Sequence, residues 1–228
     1  MNSLPVPRPI QELPDELVSQ IAAGEVVERP ASVVKELLEN SLDALSSRIE
    51  VDVTAGGTEL IRIVDDGEGI HPDDLILAVT SHATSKIQAL ADLDSVSTMG
   101  FRGEALAAIA AVSDLSLASR TASQPHAMQL HARTGEIKPM ARPVGTTVEV
   151  KELFFTTPAR RKFLKATATE LAHCLESLKR HALARPDVGF ALWHDGKCVA
   201  QWRAHDHAAG FDLRLADVLG SSFGEQSL

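Results

Sequence analysis

Apolar and polar positions change period several times along the chain. After Pro14-Asp15-Glu16, a good helix start, Leu17, Val18, Ile21 and Ala22 recur at helical spacing. A second helical pattern runs from about 32 to 45, with Val34, Leu37, Leu38, Ser41, Leu42 and Leu45 on one face. Two period-two stretches, 49–53 and 60–64, are joined by Ala55-Gly56-Gly57 and predict a hairpin. From 66 to 103 the pattern is irregular around a short apolar piece at 75–79. A connection that long inside a compact domain is usually functional. Residues 105–112 are apolar on every side, which predicts a buried helix. Strands are predicted at 115–119, 128–132 and 146–150, then a helix at 169–184 ended by Pro186. A last hairpin pairs 191–193 with 198–202 around Asp195-Gly196. This order predicts an α+β sandwich rather than a regular βαβ alternation.

Composition narrows the class. The 228 residues are 44% hydrophobic and 23% charged, enough to bury a core and too apolar for disorder. Two cysteines, Cys174 and Cys198, without a CxxC pair, argue against a zinc site and for reduced thiols in a cytosol. The first residues carry neither a signal-peptide h-region nor a transit-peptide bias, and no apolar run reaches the roughly 20 residues of a membrane span. The expectation is a cytoplasmic protein with no membrane segment. Charge is uneven within the net −9. Residues 1–100 hold 18 acids against 6 bases, whereas 151–186 hold 8 bases against 3 acids. The acidic whole is a poor non-specific nucleic-acid binder. The basic segment, with Arg160, Arg161, Lys162 and Lys165, reads either as a solvated helix face or as a phosphate-touching patch.

Three constellations carry candidate chemistry. On the helix at 32–45, Glu36, Asn40 and Asp43 lie within about 60° of one another, opposite the apolar stripe. A carboxylate one turn from a carboxamide suits a general base for water beside an oxygen ligand for a hard cation. The same residues also suit an ordinary wet helix face. Asp65-Asp66-Gly67-Glu68-Gly69 follows a strand. A strand-end Asp can accept a hydrogen bond from an exocyclic amine, although a tight acidic turn has the same composition. A calcium loop is excluded, because its sixth position would be Ile70 rather than Gly. Gly100-Phe101-Arg102-Gly103-Glu104-Ala105-Leu106 opens the buried helix, where free N–H groups would suit phosphate. Upstream, His82-Ala83-Thr84-Ser85-Lys86 adds hydroxyls and an ammonium. Neither a P-loop nor a Rossmann fingerprint is present. Gly220-Ser221-Ser222-Phe223-Gly224 matches an esterase elbow by chance, and His205-Asp206-His207 reads as a surface loop.

The order of these motifs resembles the GHKL ATPases and, within them, the MutL family of DNA mismatch-repair ATPases. The segments QIAAGEVVERPASVVKELLENSLDA (20–44), HATSK (82–86), GFRGEAL (100–106) and TPARRKFL (157–164) carry the likeness, which covers about residues 10–228. The resemblance implies a two-layer α/β sandwich, its mixed, mostly antiparallel sheet covered by helices on one face. It implies Mg-ATP hydrolysis with Glu36 as general base, Asn40 as the Mg²⁺ ligand, and Asp65 reading adenine beside Gly69 and Thr146. Thr84, Ser85, Lys86, Gly100, Phe101, Arg102, Gly103, Glu104, Ala105 and Leu106 would form a lid over the phosphates. The implied partners are a mismatch-recognition protein of the MutS kind, downstream repair enzymes, DNA for the intact protein, and a second copy on ATP binding. Phe155-Thr156 stands where the family often has Tyr-Asn. An ATP-binding domain is expected at 1–205, with its lid at about 71–106. Residues 206–228 would open a second subdomain, so the chain reads as a fragment that binds nucleotide and turns it over weakly.

Overall fold

The computed structural model describes residues 14–81, 83, 104–205 and 210–220. Two helices come first, α1 (Asp15–Val26) and α2 (Pro30–Asp43), with Pro30 at the first turn of α2, where a missing N–H costs nothing. Strands β1 (Arg48–Thr54) and β2 (Leu60–Asp65) form the expected hairpin, turned by a 3₁₀ segment at Ala55–Gly57. A short helix, α3 (Leu75–Ala78), and α4 (Ala105–Ala111) precede the strands β3 (Asp114–Arg120), β4 (Ala127–His131), β5 (Glu136–Met140) and β6 (Gly145–Lys151). The chain closes with α5 (Pro158–Arg161), α6 (Thr167–Ala184), β7 (Gly189–His194), β8 (Lys197–Trp202) and α7 (Gly210–Leu219). The turn between β7 and β8 places Asp195 and Gly196 at φ 48° and 76°, the left-handed pair that matches strand twist.

The described strands form one eight-stranded sheet in the order β5-β4-β3-β6-β2-β1-β7-β8. All neighbours are antiparallel except β1 and β7. Alternation then sorts the faces. Ile49, Val51, Val53, Ile61 and Ile63 are buried with Val33, Val34, Leu37, Leu38 and Leu42 of α2 and with Cys174, Leu178 and Ala182 of α6. Each of the Val, Leu and Ile side chains contributes about 1.5–3 kcal/mol on leaving water. The other face is wet and charged: Arg62 pairs with Asp52 at 2.9 Å and Lys151 with Glu149 at 3.1 Å. These opposite charges sit on paired or same-strand positions, so the open face is soluble without a second helical layer. No helix among the described residues is long and apolar enough to cross a membrane.

Two sequence expectations need correction, and one strand was missed. Leu45 was expected on the buried face of α2, but the helix ends at Asp43, and Leu45 is 71% exposed at φ 59°. Val18 and Ile21 of α1 are also exposed, whereas Ala23 and Val27 are buried. Periodicity gave the helix correctly there but not the face it buries. The edge strand β5 was not predicted, because Pro139 and a mostly exposed sequence hide any alternation.

Helix α7 is fastened chiefly through Arg214, with Trp202 Nε1 donating to the Asp217 carbonyl at 3.2 Å and His205 Nε2 standing 2.8 Å from the Asp217 carboxylate. Arg214 is fully buried and donates to five carbonyls, those of Ala182, Arg185, Pro186, Val188 and Arg203, at 2.7–3.4 Å. It thereby caps the open carbonyl end of α6, where a cation also meets the negative end of the helix dipole. Arg214→Met keeps bulk but leaves those acceptors unpaired. It is expected to cost about 3 kcal/mol in urea-induced unfolding; a loss under about 1 kcal/mol would show that the carbonyls find other donors.

Candidate active site

Helix α2 organises the site from two of its sides. Glu36, Asn40 and Asp43 share its partly exposed polar face, as the helical spacing predicts. Lys35 Nζ donates to Glu36 Oε1 at 3.0 Å and to Glu39 Oε1 at 3.1 Å. Burial pulls the Lys35 ammonium down, but the two carboxylates outweigh it and hold the group above its ordinary value. Glu39 is itself buried, and His181 Nε2 of α6 stands 3.8 Å from it. The carboxylate of Glu36 is therefore held in place by a cation shared with a second acid.

The buried side of α2 supplies Ser41. Its hydroxyl donates to Asp65 Oδ2 at 3.0 Å. The end of α2 fixes that aim. Leu45 N–H bonds the Leu42 carbonyl, and Ser46 N–H and Oγ both donate to the Ser41 carbonyl, a left-handed helix stop with Leu45 as the left-handed residue. The Ala44 carbonyl in turn accepts the Glu68 N–H at 3.0 Å, which ties the loop after β2 to the helix end.

Asp65 is 7% exposed at the end of β2. Oδ1 accepts the backbone N–H groups of Gly67 and Thr146, each at 3.0 Å. Burial pushes its carboxyl above the usual value; the bonds from Gly67, Ser41 and Thr146 and the charge of Arg142 oppose this without cancelling it. Arg142 also donates to the Asp65 carbonyl at 3.1 Å. The adjacent Asp66 behaves in the opposite way. Burial pushes it up, but the Ser47 hydroxyl and the Ser47 and Arg48 N–H groups outweigh that and hold it low. One acid is thus spent on fastening the strand entrance, while its neighbour faces the interior.

Close backbone approach explains two glycines here. Gly145 lies at φ 117°, and a Cβ on it would stand 2.2 Å from the Asp65 carbonyl oxygen. Gly69, at φ 78°, would put a Cβ 2.2 Å from the Arg120 carbonyl. No side chain fits either place. Between them Ser119 Oγ accepts the Ile70 N–H at 2.7 Å and donates to the Gly145 carbonyl at 3.0 Å, which leaves Thr146 Oγ1, at 2.9 Å, as a donor to Ser119.

The structure thus gathers Asp65, Gly69 and Thr146 at one end of α2 and sets Glu36 and Asn40 on the polar face of the same helix. Glu104 is the residue before α4, and its carbonyl accepts the Ala108 N–H; Ala105 and Leu106 form the first turn. Thr84, Ser85, Lys86, Gly100, Phe101, Arg102 and Gly103 lie outside the described residues. Sequence reasoning missed Ser41, Ser119, Arg142, Lys35 and Glu39. Ser41 alone carried a signal, as the one hydroxyl on an otherwise apolar stripe. Among the described residues no group of three or more His, Cys, Asp or Glu side chains could hold a metal. A magnesium ion that keeps its waters and sits against phosphates needs only one or two protein oxygens, and the partly exposed Asn40 carboxamide fits that need.

Comparison with known proteins identifies the fold that carries these residues. A family profile described as "Histidine kinase-, DNA gyrase B-, and HSP90-like ATPase" matches residues 28–149. The chain is 56% identical over 224 residues to the DNA mismatch repair protein MutL of Ralstonia nicotianae, covering 98% of this chain and 35% of that protein. Against MutL of Escherichia coli O1:K1 it is 55% identical, covering 96% and 36%. It spans about a third of the length of these relatives. Among solved structures it is similar to the Aquifex aeolicus MutL ATPase domain complexed with ADP (TM-score 0.68, 35% identity, 85% of this chain and 70% of that one). It is also similar to the N-terminal domain of a DNA repair protein (TM-score 0.74, 29% identity, 92% and 62%).

The folded chain holds a proton on Asp65 more tightly than the unfolded chain does. The group therefore favours the fold at acid pH, and that contribution is lost as pH rises through its folded value. At neutral pH the ionised carboxyl costs stability. Asp65→Asn keeps an acceptor for Gly67 and Thr146. It is expected to melt no lower than the parent near pH ~7, with its advantage shrinking toward pH ~4, where an unfolded Asp gains its proton. A thermal scan at both values checks this; a lower midpoint at pH ~7 contradicts it.

Proposed function

Because this chain belongs to the MutL branch of the histidine kinase-, DNA gyrase B- and HSP90-like ATPases, we propose that it is the nucleotide-binding part of a cytoplasmic DNA mismatch-repair ATPase. The observation that carries the reading is the buried Asp65, which keeps unused acceptor capacity at a site walled by glycines, on the helix that also presents Glu36 and Asn40. In this reading the Asp65 carboxylate accepts the adenine amine, and Gly69 lets the loop lie close to the base. Thr146 fixes the carboxylate through its N–H. Glu36 orients the attacking water and takes its proton. Magnesium, held by Asn40, supplies charge neutralisation at the phosphates when bound. Residues 84–86 and 100–106 close over the phosphates as a lid, within the span 71–106.

Nucleotide-driven ordering of that lid then favours pairing with a second copy. It couples a MutS-like mismatch-recognition protein to downstream repair enzymes, with DNA contacted by the intact protein. The ATP-binding unit is taken as 1–205, with 206–228 opening a second unit whose first helix is fastened back through Arg214. A second reading, in which this chain binds nucleotide but barely hydrolyses it, draws on the Lys35 contact, which occupies Oε1 of the Glu36 carboxylate.

Glu36→Ala in the intact protein is expected to lower ATP turnover at least about 100-fold with ATP affinity retained. Unaltered turnover overturns the assignment of the base. Asn40→Ala should instead weaken Mg-dependent binding of a non-hydrolysable ATP analogue, about tenfold or more by calorimetric titration. Equal affinity with and without Mg²⁺ in the parent chain would remove the metal from this reading.

A further inference from the structure

The hydrogen bonds around Asp65 leave little room for a ligand, and what remains has a definite place. A carboxylate offers about four lone-pair positions. Oδ1 uses two on the N–H groups of Gly67 and Thr146, and Oδ2 uses one on Ser41. The remaining position is on Oδ2. A proton taken up by Asp65 would settle there too, since Oδ1 is fully engaged. Proton and exocyclic amine therefore compete for one lone pair, and burial favours the proton.

One nearby charge works against the proton. Arg142, on the connection between β5 and β6, donates through Nη2 to the Asp65 carbonyl at 3.1 Å. Its Nε and Nη1 are buried and bond no protein acceptor. Its own carbonyl is held by Arg120 Nη1 at 3.4 Å. A guanidinium so desolvated is poorly screened, and its field reaches the carboxyl of the residue whose main chain it grips. Burial lowers the affinity of Arg142 for its proton, and Asp65 partly restores it. The other groups facing the carboxyl are uncharged donors: Ser41 from α2, Gly67 from its own loop and Thr146 from β6. Asp66 turns away to Ser47 and Arg48. Arg120 spends its Nε on the Gln124 carbonyl.

We propose that Arg142 is a positioning residue for amine recognition: its guanidinium, clamped to the Asp65 main chain, keeps the last Oδ2 lone pair open to the exocyclic amine of an adenine nucleotide. This rests on Asp65 being the adenine acceptor. Arg142 touches no nucleotide in this scheme; it acts through Asp65. It widens toward acid the pH range over which the base is read.

The test is the pH profile of ADP affinity by calorimetric titration, for the parent chain, R142Q and R142K. R142Q is expected to bind ADP about three- to tenfold more weakly than the parent at the acid end of the profile, where the proton begins to displace the amine. Near pH ~8.5 the two should bind equally, and R142K should follow the parent throughout. A loss of equal size at both ends of the profile overturns the proposal, because damage to the fold is not pH-selective. Carboxyl-carbon NMR of Asp65 in the nucleotide-free chains is the second readout: its titration midpoint should move up in R142Q, and an unmoved midpoint also overturns the proposal. Should R142Q fail to fold by circular dichroism, R142M against R142K over the same pH profile makes the same comparison. Inosine diphosphate, which carries a carbonyl in place of the amine, separates the two claims. If the parent binds it as tightly as ADP, Asp65 is not the amine acceptor, while the NMR comparison still decides what Arg142 does to the carboxyl.

Discussion

A carboxylate placed inside a protein must be given hydrogen bonds or it will hold a proton. Much of the local architecture of this chain follows from meeting that demand at Asp65. Its first donor is Ser41, so α2 has to end where Ser41 reaches β2, and the left-handed stop at Leu45 fixes that end. Its second is the Thr146 N–H, so β6 has to enter the sheet beside the end of β2, which only a residue without a Cβ at 145 allows. Its third comes from its own loop, which leans on the Ala44 carbonyl. A helix, two strands and a turn are thus registered against one another by a single acid. The demand is met only in part, since the group still prefers its proton more than a solvated one does.

The legible part of this design was the part with a period or a fixed spacing. Helix α2 showed its polar and apolar faces, and β1 and β2 showed alternation. Asp65-Asp66-Gly67-Glu68-Gly69 showed a strand end where backbone must come close. The likeness to known ATPases then joined these into one site. What stayed hidden were contacts made across long separations. Ser41 and Asp65 are 24 residues apart, and Arg142 and Asp65 are 77 apart; no window of sequence contains both members of either pair. Leu45 misled because a hydrophobic residue at helical spacing looks like core, whereas the stop signal here has leucine in a position that usually favours glycine. Arg214 gave no sign of being buried, for an arginine inside a protein makes sense only once five carbonyls are seen to converge on it.

The two faces of the sheet divide the work. The helix side carries the apolar cluster and, at its edge, the site. The open side carries pairs such as Asp52 with Arg62 and Glu149 with Lys151. Exposed pairs of this kind add little to stability. Their value lies in keeping a broad sheet surface wettable while every second residue on the same strands fills the core. The division follows from strand geometry alone, and it leaves α2 and α6 as the main layer through which changes at the site reach the rest of the molecule.

The parallel pairing of β1 with β7 sets how long the newborn chain waits for a complete sheet. Arg48 pairs with Gly189, about 140 residues later in the chain. At 5–20 residues per second a ribosome needs roughly 7–28 s to cover that span. During that interval β1 has its partner β2 but carries a bare edge on its other side, the kind of edge that invites pairing with another chain. Helix α2 cannot be fully covered either, because α6, which packs against it, emerges only shortly before β7. The segment that bears Glu36, Asn40 and Asp65 is therefore made well before the elements that enclose it. Until the distant strand arrives, the burden of staying unaggregated in the newborn chain falls on residues 48–65.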